Sequence, residues 1–148
     1  IGICQAALQV AGMVSGRFSI VTTLPRSVPI IEDLVQSYGM DRRCRRVRSI
    51  DLPVLALEDD PARAEALIAA EIAAARAQDG AEAVILGCAG MAEMCERLAI
   101  QTGVPVIDGV TAAVRLAEAM VGIGYATSKI GSYAWPLAKA GGITPEAA

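Results

Sequence analysis

The chain has 148 residues, enough for one domain with a sizeable core. It is 54% hydrophobic and 3% aromatic and contains no histidine, so its core must be aliphatic and alanine-rich, and Ser-His-Asp or Cys-His hydrolases, HExxH metalloproteases and His-ligated haem are excluded within these residues. A net charge of −3 gives no support for general nucleic-acid binding, and the expectation is no nucleic-acid partner.

Short apolar runs alternate with helical patterns, which predicts an α/β fold with a parallel sheet and flanking helices. In chain order, residues 1–3 read as the tail of a strand and residues 5–14 as a helix with Ala7, Leu8 and Ala11 inward. Residues 18–23 read as a strand. Residues 27–38 read as a helix with Pro29 in its first turn, Ile30, Ile31, Leu34 and Val35 as its apolar stripe, and Gly39 as its stop. A strand over 44–49 follows, then a loop to Asp60. Asp60 and Pro61 form a carboxylate cap and a first-turn proline, opening a helix to about residue 78 with Ala64, Leu67, Ile68, Ile72 and Ala75 on one face. Residues 83–86 read as a buried strand, 87–90 as a tight turn and 91–102 as a helix closed by Gly103. Residues 104–107 are the last clear strand and 111–121 the last clear helix, with a glycine-rich tail from Gly122. Residues 107–117 align without gaps on residues 1–11, an echo that reads either as two ordinary strand–turn–helix units or as two related halves about a pseudo-dyad.

No apolar run reaches the roughly 18 residues of a membrane span, so no membrane partner is expected. The segment Ile1-Gly2-Ile3 carries no basic region of a signal peptide and no Met, and the expectation is that the sequence starts inside a longer chain. Cys4, Cys44, Cys88 and Cys95 are too few and too dispersed for a disulfide scaffold, which points to a reducing, cytoplasmic setting with free thiols. There is no CxxC and no His, so no metal site is expected.

Ligands of open parallel sheets bind beyond the carboxyl ends of the strands. Those ends are expected to bring together Cys4, then Thr22 and Thr23, then Gly87-Cys88-Ala89-Gly90, then Asp108 and Gly109. Cys88 is either a small buried hydrophobe or a thiol activated at the start of a helix, where amide N–H groups and the helix dipole favour thiolate. Gly87 and Gly90 allow a carbonyl or carboxylate to approach the backbone, and the Ala89 and Gly90 amides are placed to stabilise an oxyanion. Thr22 and Thr23 are either strand-end or capping residues or hydrogen-bond partners of a polar substrate. Arg42, Arg43, Arg45, Arg46 and Arg48 read as a solvated edge strand that resists edge-to-edge pairing. Cys44 and Cys95 read as structural, and Met91, Met94 and Leu98 as core.

Val84-Ile85-Leu86-Gly87-Cys88-Ala89-Gly90-Met91 followed by Gly103-Val104-Pro105-Val106-Ile107-Asp108-Gly109-Val110 resembles the Asp/Glu/hydantoin racemase superfamily, and within it the hydantoin and allantoin racemases. Phe18 to Leu24, Arg26 to Pro29, Thr127-Ser128-Lys129 and Ser132-Tyr133-Ala134 extend the resemblance over nearly the whole chain. It implies two flavodoxin-like halves with the active site between them, a pseudo-twofold architecture only partly present here. It implies no metal and no cofactor. In the family each half supplies one cysteine, one thiolate removing the proton at a stereogenic carbon and the opposite thiol returning one on the other face. Cys88 matches the cysteine of the C-terminal half, and Thr22 and Thr23 match the substrate-contacting threonines. The family's other cysteine lies in a CF-x-DPG-like segment upstream of the position of Ile1. Cys4 falls where the family has Gly and receives no catalytic role.

The resemblance therefore implies a racemase of 5-substituted hydantoins or allantoin. Residues 1–110 are expected to form the half carrying Cys88, and residues 111–148 a helix and tail returning toward the other half. The expected partners are a small-molecule substrate and further copies of the chain. An Asp/Glu racemase, an arylmalonate-type decarboxylase, a maleate-type isomerase or a non-catalytic ligand-binding module remain the alternatives.

Overall fold

The structure is a computed structural model and describes residues 1–137, so residues 138–148 of the expected tail lie outside it. The chain divides into two units, residues 1–117 and residues 118–148, with the division inside a helix.

The first unit opens with α1 (Ile3–Val14), whose Ala6, Ala7, Leu8 and Ala11 are buried. Gly2 is extended and caps this helix, and no strand forms at residues 1–3. The expected strand tail there is corrected: the helical period of the buried alanines takes over from Ile3. After α1 come β1 (Phe18–Thr22), α2 (Val28–Ser37), β2 (Cys44–Ser49), the short α3 (Ala56–Asp59) and α4 (Pro61–Ala74). Then follow β3 (Ala83–Leu86), α5 (Cys95–Thr102), β4 (Val106–Asp108) and α6 (Gly109–Gly122). The Asp60 carboxylate accepts from the Arg63 amide at 3.0 Å, as its reading as a cap requires. Gly39, Gly80 and Gly103 each end a helical stretch with φ near +68°, +66° and +68°.

The four strands are parallel in the order β2-β1-β3-β4. β1 and β3 are buried along their whole length because helices cover both faces. Alternation splits the core in two. Ile20, Ile85 and Ile107 face α1, α2 and the start of α6. Val21, Val84 and Leu86 face α4 and α5. β2 is an edge strand, as its arginines suggested, but Arg48 departs from that reading. Its side chain is 8% exposed and pairs with Asp79 at 2.7 Å and Glu71 at 3.1 Å. The ladder slips by one residue between Phe18 and Ile20, which turns Arg48 alongside Val21 and toward the end of the α4 segment.

In the second unit, a 3-10 turn spans Gly131–Tyr133, and the Lys129 ammonium lies 4.3 Å from the centre of the Trp135 ring. Among the described residues no helix is long and apolar enough to cross a membrane.

Candidate active site

The connection from β1 to β2 runs through α2 on one face of the sheet, whereas the connection from β2 to β3 runs through α4 on the other. The winding therefore reverses between β1 and β3. In doubly wound sheets this switch point leaves a crevice at the strands' carboxyl ends, where ligands settle. Here those ends are Thr22-Thr23 and Gly87-Cys88.

Gly87 continues the β1–β3 ladder one step past Leu86 by donating its amide to the Val21 carbonyl at 2.8 Å. A Cβ at Gly87 would stand 3.1 Å from both the Ile20 and Thr22 side chains, so the close approach of β1 to the turn requires glycine. Cys88 follows as a half-buried free thiol in extended backbone. Its sulfur lies 3.8 Å from the point a Cβ on Gly90 would occupy, so the glycine keeps that side of the thiol open. Ala89 and Gly90 are exposed, with their amides in the first turn after the thiol.

The segment after Cys88 differs from the expected helix over 91–102. Ala89–Met94 is a 3-10 helix, and α5 begins only at Cys95. Met91 and Met94, three residues apart, both anchor in the core, and a three-residue period stacks them on one face. The α-helix dipole invoked for Cys88 therefore starts seven positions later, at Cys95, and the local amides are the nearer source of positive potential.

Thr22 and Thr23 are buried, at 2% and 4% exposure. The Thr22 hydroxyl donates to the Gly87 carbonyl at 3.4 Å, linking the end of β1 to the turn that carries Cys88. Asp108 ends β4, and its carboxylate accepts from the Thr111 amide at 2.7 Å, which starts α6 two residues earlier than the apolar pattern suggested. Cys4 is not at a strand end, as expected, but in the first turn of α1. Because α1 runs antiparallel to the strands, this still brings it to the same edge.

Cys4 and Cys88 line one cavity of about 250 Å³. Its floor is Ile20 and Ile85, and α2 closes it with Ile31 and Leu34. Sequence reasoning placed Ile31 and Leu34 in the core stripe of α2, and nothing in their spacing separates a core stripe from a cavity wall. Ile30, assigned to the same stripe, is 64% exposed. Burial pushes the Cys44 thiol up to about 12 and also raises those of Cys4 and Cys95. The Cys95 thiol donates to the Val106 carbonyl at 3.1 Å, a structural use. Among the described residues no cluster of three or more metal-ligating side chains occurs.

Residues 1–117 match the family model described as Asp/Glu/Hydantoin racemase. A hydantoin racemase of Rhizobium meliloti is 69% identical over 140 residues, covering 95% of this chain and 58% of that protein. A hydantoin racemase of Pseudomonas sp. (strain NS671) is 45% identical over 136 residues, covering 92% of this chain and 55% of that protein. The solved structure of an allantoin racemase from Klebsiella pneumoniae superposes with a TM-score of 0.90 at 47% identity, over 94% of this chain and 57% of that one. The chain thus spans somewhat more than half the length of the relatives it matches.

Proposed function

The chain belongs to the Asp/Glu/hydantoin racemase family, and on that premise we propose that it forms the Cys88-bearing half of a racemase acting on 5-substituted hydantoins or allantoin. The observation that carries this reading is the thiol of Cys88 at the β1/β3 switch point, half-buried and opening on a cavity. A carbon next to a carbonyl loses its proton to a thiolate on one face, leaving a planar enolate. A second acid on the opposite face returns a proton, and the configuration inverts. Cys88 is the group on one face. In the family the opposing thiol comes from the other half, as the resemblance implies. The Ala89 and Gly90 amides hold the enolate oxygen, Gly87 lets the ring lie close, and Thr22 and Thr23 fix the turn and meet the polar edge of the substrate.

The expected return of residues 111–148 toward that other half belongs to the same proposal. The cytoplasm suits four free thiols. Exposed apolar side chains such as Leu55 and Ile100 favour association of copies, which light scattering would register.

Polarimetry on a single-enantiomer hydantoin tests the reading in the natural polypeptide that contains residues 1–148. Cys88→Ser should slow the loss of optical rotation by about 10²–10⁴-fold. Undiminished racemisation in that variant would remove Cys88 from the reaction.

A further inference from the structure

The cavity beside Cys88 has an unusual lining for a site that handles a polar ring. Of its fourteen lining residues none carries a side-chain oxygen or nitrogen, and the only polar side-chain groups are the thiols of Cys4 and Cys88. Burial raises the Cys4 thiol, so at neutral pH it stays a neutral S–H and belongs to the apolar wall. The remaining walls are aliphatic: Ile20 and Ile85 from the sheet, Ile31 and Leu34 from α2. Ile31 and Leu34 are three apart and so project from one face of the helix. An apolar cavity of about 150 Å³ is enough to hold benzene. At about 250 Å³, this one has room for a branched aliphatic or a benzyl group.

We infer that Ile31 and Leu34 determine specificity, seating the substituent of the carbon whose proton Cys88 exchanges, so that aliphatic and aromatic substituents are accepted and hydrogen-bonding ones rejected. This rests on the racemase reading above. A ureido group, the substituent of allantoin, would shed its water on entering and meet no side-chain oxygen or nitrogen there. A site without partners discriminates against such a group, whereas an isobutyl or benzyl group loses nothing by leaving water.

The test measures kcat/KM for single enantiomers of 5-isobutylhydantoin, 5-benzylhydantoin, 5-methylhydantoin and allantoin, using the natural polypeptide. The isobutyl substrate should exceed allantoin by about tenfold or more. Leu34→Asn should lower the isobutyl-to-allantoin ratio by about tenfold, and Leu34→Phe, which narrows the cavity but stays apolar, should lower the benzyl-to-methyl ratio by a similar factor. Circular dichroism establishes that each variant is folded; the unmodified protein's substrate series decides the matter if neither is. Racemisation that requires Cys88 but favours allantoin, or ratios that folded variants leave unchanged, would overturn this inference alone. Racemisation of none of the four substrates, or racemisation indifferent to Cys88→Ser, would overturn the racemase reading and the inference with it.

Discussion

At Cys88 a half-buried thiol stands where β3 has just ended, and the residue before it is packed so closely against Ile20 and Thr22 that a methyl group would have to push their side chains aside. The thiol is thus aimed by a glycine and a ladder hydrogen bond. Another side chain with a fixed setting is Asp79, whose carboxylate takes two bonds from the Arg48 guanidinium at 2.7 and 2.8 Å and one from the Ser19 hydroxyl at 3.0 Å. The Arg48 hydrogen bond holds its pKa below the usual carboxylate range. Its folded value therefore lies below its unfolded value of about 3.9. The stabilisation it contributes is fully present above that unfolded value and is lost as the pH falls through the folded one. Asp79→Asn should cost about 2 kcal/mol near neutrality, between the exposed and buried cases. Denaturant titrations at neutral and strongly acid pH should show the gap from the unmodified protein closing in acid. A gap independent of pH would mean that the charge of Asp79 is not what stabilises.

Two helices meet end to end at the level of secondary structure. α6 begins at Gly109 and α1 at Ile3, which are matched positions of the internal echo. A Cβ at Gly109 would fall 2.6 Å from the Ile3 carbonyl oxygen, so one backbone must move to admit any side chain. Gly109→Ala should destabilise by about 1–3 kcal/mol, visible as a lower Tm. Gly122→Ala, where nothing lies within 4 Å, should not. Equal effects of the two substitutions would show that the helix contact is slack. The elements themselves were legible where local chemistry was one-sided. Asp60-Pro61 announced α4, and the apolar run before Gly87 announced β3. What stayed hidden depended on distant partners: the 3-10 turn after Cys88, set by burial of Met91 and Met94, and the burial of Arg48, whose partner Asp79 is 31 residues away. The switch-point placement of Cys88 was legible as a strand end, but the apolar cavity was not, because α1 and α2 are joined only by the fold.

For the whole molecule, four parallel strands in the order β2-β1-β3-β4 create a single reversal of winding, and the thiol singled out by the motif lies there. The chain covers 58% of the Rhizobium meliloti relative and 57% of the Klebsiella pneumoniae structure. On the two-base account proposed above it supplies one face of the site. Exchange of the C5 proton for deuterium, followed separately from each hydantoin enantiomer with the Cys88→Ser form of the natural polypeptide, tests this most directly. The account predicts that deuterium uptake collapses for the enantiomer whose C–H faces Cys88 and persists for its mirror image. Uptake at the unmodified rate from both enantiomers would contradict it.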